Sequence, residues 1–126
     1  MKAKTIIFLE DDEPLRRYYT IMLEQHGYRV VQDMNSSKIL TLIEQHQPDL
    51  LISDLVMPEH EGVEGIMAIL GKYRLPIIAI SSHAKYLQAV SPLVQCTLHK
   101  PFSVEELTSA VQRLLQPAQQ FAPSHP

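Results

Sequence analysis

A chain of 126 residues with 45% hydrophobic and 20% charged residues is long enough to bury one core and too short for two, so one domain and one main site are expected. The composition argues against disorder, collagen-like repeats and membrane insertion, because no apolar run approaches the roughly 20 residues of a spanning helix. A formal net charge of -3 gives no general attraction to nucleic acid. The single cysteine, Cys96, cannot close an intrachain disulfide, so a cytoplasmic setting is expected, without DNA binding by this domain.

In chain order, Thr5 to Leu9 reads as a first strand that runs straight into acids. Leu15, Tyr18, Tyr19, Met22, Leu23 and His26 then recur at helical spacing and predict a helix from about Pro14 to His26, with Pro14 suited to its first turn and Gly27 to its close. Tyr28 to Val31 is a second strand. A helix over about 36–45 follows, with Ser36 as its cap and Ile39, Leu42 and Ile43 as its buried face. Leu50 to Ile52 is the third strand. Helix three, about Val63 to Tyr73, is expected to bury Val63, Ile66, Met67 and Leu70 and carries Gly65 at a cost of about 1 kcal/mol relative to Ala.

Pro76 to Ile80 is the fourth strand, and Ala84 to Ser91 a short helix stopped at Pro92. A weaker fifth strand runs from Cys96 to Leu98. Ser103 and Glu106 form a capping box for a last helix striped by Val104, Leu107, Val111 and Leu114. Residues 1–116 therefore read as one domain, and the Pro-rich 117–126 as tail or linker. This βα alternation predicts a parallel sheet covered on both faces. The second and fifth strands are the more polar or shorter ones and belong at the edges, which gives the order 2-1-3-4-5.

In such a sheet, ligands collect beyond the carboxyl ends of the strands. Glu10, Asp11 and Asp12 stand at the first strand end, Asp54 at the third, Ser81 and Ser82 at the fourth and Lys100 at the fifth. Clustered carboxylates repel by roughly 4 kcal/mol per pair at 4 Å with an effective dielectric near 20. They call for a hard divalent cation, and Mg²⁺ suits an all-oxygen donor set. With that charge neutralised, Asp54 can act as a nucleophile toward phosphorus, while Lys100 and the Ser81 hydroxyl stabilise the transferring oxygens.

Four segments, Leu9-Glu10-Asp11-Asp12-Glu13-Pro14-Leu15, Ser53-Asp54-Leu55-Val56-Met57-Pro58, Ala79-Ile80-Ser81 and Lys100-Pro101-Phe102, resemble the signatures of receiver domains of response regulators. The resemblance spans residues 4 to about 116. It implies a flavodoxin-like (βα)5 fold and a phosphoacceptor switch rather than a turnover enzyme, with Asp54 as acceptor. It also implies Mg²⁺ held by Asp11 directly, by Glu10 through water, by Asp54 and by the backbone carbonyl of Val56. Asp12 stays open as the second acid of the pair. Lys100 would contact the phosphoryl group, and Pro101 would follow a cis bond. The implied partners are a sensor histidine kinase or histidine phosphotransfer protein and an output domain or protein, with a homodimer as one form of output.

The sequence also departs from the family pattern. Thr97 stands three residues before Lys100, where an aromatic ring is usual, and Ser82 and His83 follow Ser81. A phosphorylation-independent interaction module is the alternative. A haloacid-dehalogenase-type enzyme would need an acid where Val56 stands, and a flavin binder would need a phosphate cradle where Glu10, Asp11 and Asp12 stand. The six histidines show no metal-ligand spacing. Leu15, Tyr18 and Met22 are expected in the core, and Cys96 as a small buried hydrophobe.

Overall fold

The computed structural model describes residues 2–56 and 62–116. Met57, Pro58, His60, His125 and the expected tail over 117–126 lie outside the described residues. Five strands, β1 (Thr5–Leu9), β2 (Arg29–Asp33), β3 (Leu50–Asp54), β4 (Ile77–Ser81) and β5 (Cys96–His99), alternate with α1 (Glu13–Gln25), α2 (Ile39–His46), α3 (Gly62–Leu70), α4 (Ala84–Val90) and α5 (Val104–Leu114). All neighbouring strands pair in parallel, in the order β2-β1-β3-β4-β5. The polar strands are the edges, as their sequences require.

Alternate residues of the central strands point to opposite faces, and each face has its own helices. Ile7, Leu9, Leu51, Ile77 and Ala79 pack with Ile39 and Ile43 of α2, Ile66 and Ile69 of α3, and Leu87 and Val90 of α4. Ile6, Phe8, Leu50, Ile52, Ile78 and Ile80 pack with Tyr19 and Leu23 of α1 and Leu107, Ala110 and Val111 of α5. The crossovers reverse direction between β1 and β3, so the carboxyl ends of these two strands open onto one crevice.

The helix ends follow local chemistry. Asp12 caps α1 by accepting the Leu15 amide at 3.1 Å, and Ser103 and Glu106 complete both halves of the α5 capping box. Ser36 does not cap α2. The Asn35 side chain accepts the Ser37 amide at 2.9 Å in a local turn, and α2 begins only at Ile39 after Lys38, which makes no side-chain cap bond. Pro92 ends α4, and the chain continues through a 3₁₀ turn over Ser91–Leu93 into β5.

Three expected core assignments are corrected. Tyr18 is half exposed, because the neighbouring Tyr19 takes the inward position on α1. On α3, Met67 and Leu70 face outward while Gly62, Gly65, Ile66 and Ile69 are buried. Gly65 sets that rotation. A Cβ there would stand 2.7 Å from the Ser36 Cβ, so the helix turns its smallest residue toward the approaching chain. Cys96 is only half buried, against the α1 and α5 face.

Gly65→Ala tests which effect governs at this contact. Helix propensity alone would stabilise α3 by about 1 kcal/mol, but the crowding at Ser36 reverses the sign, with an expected loss of about 1–3 kcal/mol. Urea denaturation should show the loss in the wild-type background and its relief when Ser36→Gly is added; stabilisation by Gly65→Ala alone would refute the close contact.

Candidate functional site

The three acids nearest the crevice come from two strands. β1 ends at Leu9, and the chain turns outward through Glu10 and Asp11 before Asp12 starts α1. Glu10 is fully buried at this turn, while its amide extends the β1 ladder by donating to the Asp33 carbonyl at 3.1 Å. One Glu10 carboxylate oxygen, Oε2, accepts the Asp12 amide at 3.1 Å. Asp54 closes β3 and is also buried, with Oδ1 accepting the Val56 amide at 3.1 Å.

Lys100 reaches into this pair from the end of β5. Its Nζ lies 2.6 Å from Glu10 Oε1 and 2.6 Å from Asp54 Oδ2. Its own amide donates to the Ser81 carbonyl at 2.8 Å, which fixes the Lys100 backbone to the end of β4. The Lys100–Pro101 peptide is cis. Asp11 adds a more exposed carboxylate, and single oxygens of Glu10, Asp11 and Asp54 all lie within 4.8 Å of one another. Asp12, by contrast, is turned to its capping role at the start of α1.

Charge in this cluster is unevenly compensated. At the 4.8 Å limit, each carboxylate pair repels by about 3 kcal/mol with an effective dielectric near 20. One ammonium faces three acids. Burial pushes the Glu10 carboxyl up to about 7, against the opposing pull of Lys100, and the neighbouring Asp54 charge pushes in the same direction as burial. Burial alone would lower the Lys100 ammonium, yet its hydrogen bonds to Asp54 and Glu10 outweigh that and hold it above its ordinary value. Oxygen-only donors at this spacing suit a hard divalent cation.

The remaining expected site residues sit around this centre. Ser81 is fully buried at the end of β4, where its Oγ accepts the His83 amide at 3.0 Å and keeps its own proton for donation. Val56 stands at the outer rim, 39% exposed. Thr97 is half buried on β5, opposite Ala79, so no ring occupies that position.

Three further residues shape the site and are not singled out by the sequence patterns. Gly62, at the start of α3, lies so close to Asp54 that a Cβ would overlap the Asp54 carbonyl oxygen and stand 3.0 Å from the carbonyl carbon. Its amide donates to the Leu55 carbonyl at 3.3 Å. A glycine eight residues past a strand-end acid, at a helix start, was the available signal. Arg16 and Tyr19 on α1 each donate to a backbone carbonyl of a site segment, Glu10 and Phe102 respectively. Their polar tips on an inward helix face were the corresponding hint.

A doubly wound α/β domain with carboxylates and a lysine converging at the crevice of its sheet is the class that fold and site define. The sequence matches the response regulator receiver domain over residues 6–112, and the chain belongs to that family. It is 27% identical over 122 residues to the response regulator GtcR of Aneurinibacillus migulanus, covering 94% of this chain and 50% of that relative, so the chain spans about half the relative's length. Among solved structures it is similar to the response regulator TrrA of Thermotoga maritima in complex with Mg²⁺-BeF, at 26% identity and a TM-score of 0.82, over 89% of this chain and 99% of the other. The fold is likewise that of the receiver domain of a sensor histidine kinase from Pseudomonas aeruginosa with a magnesium ion in its active-site cleft, at 24% identity and a TM-score of 0.82, over 90% and 98% of the two chains.

Two predictions come from this geometry. Because the folded Glu10 carboxyl titrates near 7 instead of 4.5, the folded state holds this proton more tightly than the unfolded chain. Its contribution to stability is fully present below pH 4.5 and is lost as pH rises through 7. Denaturation midpoints taken with chelator at pH 5 and pH 8 should fall for the wild type, and Glu10→Gln should fall less; parallel declines would exclude Glu10 as the source. Gly62→Ala should cost about 1–3 kcal/mol and displace the Asp54 backbone, seen as amide shifts at Asp54 and Leu55 in ¹⁵N NMR spectra. Unperturbed amides there would show that α3 yields instead.

Proposed function

We propose that this chain is a phosphoacceptor switch of a two-component relay, taking a phosphoryl group on Asp54 from a histidine kinase or a histidine phosphotransfer protein. The observation that carries the reading is Lys100 Nζ at 2.6 Å from both Glu10 and Asp54, beside a third carboxylate from Asp11. This arrangement sets a part-buried cation against two buried carboxylates, where apolar residues would fill the same space at less desolvation cost. Receiver domains of response regulators are phosphoacceptor switches, and the family assignment gives the reading its context.

Glu10, Asp11 and Asp54, with the Val56 backbone carbonyl, would hold Mg²⁺. Bound there, the ion would neutralise the carboxylates and the oxygens of an incoming phosphoryl group. An Asp54 carboxylate oxygen would then form the bond to phosphorus as the bond from phosphorus to the donor imidazole nitrogen breaks, with the electron pair leaving on an imidazole whose other ring nitrogen carries a proton, so that it departs neutral. Lys100 would pass from the free carboxylate to a phosphoryl oxygen, and the Ser81 hydroxyl would donate to another. No general acid or base beyond these groups is needed. The domain would act once per phosphoryl group and assist only its own loading and hydrolysis, in a cytoplasmic setting where such donors act. Among the described residues, no helix is long and apolar enough to cross a membrane.

Output is the part where this chain differs from the family pattern. Thr97 has no ring to move between an inward and an outward position, so a surface change that depends on such a ring has no carrier here. The partner, whether a fused output domain, a separate protein or a second copy, would read a different consequence of acylating Asp54.

Intact mass after incubation with Mg²⁺ and a small acyl phosphate should show the wild type gaining one phosphoryl group. The adduct should vanish with EDTA and in Asp54→Asn, and Lys100→Met should slow its formation roughly 10²-fold or more. If no adduct forms and a beryllofluoride mimic also fails to bind, the phosphoacceptor reading gives way to a phosphorylation-independent interaction module.

A further inference from the structure

Helix α1 begins immediately after the acid loop, and two side chains on it, three residues apart, each donate to backbone on a different side of the site. Arg16 Nη1 donates to the Glu10 carbonyl at 2.6 Å, and its Nε donates to Gln32 Oε1 on β2 at 3.1 Å. One turn on, the Tyr19 hydroxyl donates to the Phe102 carbonyl at 2.6 Å in the buried core. The Tyr19 and Phe102 rings also pack together, with centroids 5.0 Å apart and planes 32° from parallel. Phe102 lies two residues after Lys100, and the Lys100 amide is already bound to the Ser81 carbonyl at 2.8 Å. The segment that carries the ammonium is therefore pinned before its side chain by β4 and after it by α1.

A buried tyrosine needs a partner for its hydroxyl, and any unpaired carbonyl would serve. What sets Tyr19 apart is which carbonyl it takes. Its partner belongs to the lysine segment, while the Arg16 partner belongs to the acid that the lysine meets. The spacing of three places both anchors on one helix face. We propose that α1 is a brace for the charged site, with Tyr19 the positioning residue for Lys100 and Arg16 its counterpart for Glu10. Neither side chain is needed to touch the phosphoryl group or the metal. The brace rests on the phosphoacceptor reading only for its kinetic consequence; the placement of Lys100 is measurable without it.

The decisive comparison uses the whole chain as wild type, Tyr19→Phe and Tyr28→Phe. Tyr19→Phe keeps the ring stack and deletes one hydroxyl. Tyr28→Phe makes the same deletion against the same core face, away from the lysine segment. Each lysine's reaction with an amine-acylating reagent, read by peptide mass, reports whether Lys100 is still held by its two carboxylates. In Tyr19→Phe, Lys100 should label several-fold faster while Lys4 and Lys72 keep their wild-type rates, and Tyr28→Phe should leave Lys100 protected. Transfer from a small acyl phosphate at saturating Mg²⁺ should slow roughly tenfold in Tyr19→Phe, with Mg²⁺ affinity by calorimetry retained. Arg16→Gln should chiefly weaken Mg²⁺ binding, with a smaller rise in Lys100 labelling than in Tyr19→Phe, because the Asp54 contact of Lys100 remains.

Wild-type labelling of Lys100 in Tyr19→Phe would overturn the brace, and so would equal acceleration of every lysine, which would mark general loosening. Unchanged Mg²⁺ affinity in Arg16→Gln would remove Arg16 from it. If the wild type takes no phosphoryl group at all, the phosphoacceptor reading fails and the labelling pattern still decides the role of Tyr19.

Discussion

The contact of the Lys100 ammonium with two buried carboxylates constrains the rest of this molecule. Glu10 and Asp54 are almost wholly removed from solvent, at 0% and 4% exposure, and either charge alone would carry a desolvation cost of several kcal/mol. Among the described residues, the ammonium that meets both arrives from the far edge of the sheet, on the strand end at β5, and adds to the Asp12 and Val56 amides that Glu10 and Asp54 respectively accept. The sheet must therefore be parallel enough, and the crossovers tight enough, to bring the ends of β1, β3 and β5 within the length of one lysine side chain. Strand order, the cover of helices on both faces and the backbone tie of Lys100 to Ser81 all serve that convergence. The compensation is incomplete. Burial first, and the Asp54 charge beside it, hold the Glu10 carboxyl raised despite Lys100, and a divalent cation would offset that.

Most of the architecture was legible because its signals are strong and local. Ile6 to Leu9, Leu50 to Ile52 and Ile77 to Ile80 are apolar on both faces, which only central strands tolerate, and the weaker β2 and β5 then had nowhere to go but the edges. The strands proved longer than their apolar runs. β2 extends through Gln32 and Asp33, β3 through Asp54 and β4 through Ser81, because backbone pairing continues past the last hydrophobic residue. At β3 and β4 those polar final residues are the ones that reach the crevice.

Periodicity failed where a close approach overrode it. Of the α3 residues expected inside, Val63, Ile66, Met67 and Leu70, the structure keeps Ile66 buried and Val63 partly so, and turns Met67 and Leu70 out in favour of Ile69 and the glycines. Gly62 meets the Asp54 carbonyl and Gly65 meets Ser36, and neither contact leaves room for a Cβ. On α1, Tyr18 and Tyr19 are equivalent by composition, and the carbonyl and ring of Phe102 in the core take Tyr19. Pairings across 83 residues of sequence leave no trace in local spacing. The charged centre itself was readable because carboxylates, a hydroxyl and an ammonium at four strand ends have no other reason to coincide, whereas its supports donate to backbone, which carries no residue identity to match.

The same distinction bears on how a change at Asp54 leaves the site. A ring on β5 would carry movement through side-chain packing, and Thr97 cannot. Among the described residues, a link from the Lys100 segment toward α4 runs through Ser81. Ser81 receives the Lys100 amide on its carbonyl and the His83 amide on its hydroxyl, so it joins the lysine segment to the residue that precedes α4. His83 in turn meets the Tyr86 ring edge to face at 5.6 Å on the outer side of α4. Hydrogen bonds at about 3 Å have little slack before they break, so the Lys100 segment and the His83 amide share Ser81 as a common anchor, one through its carbonyl and the other through its hydroxyl.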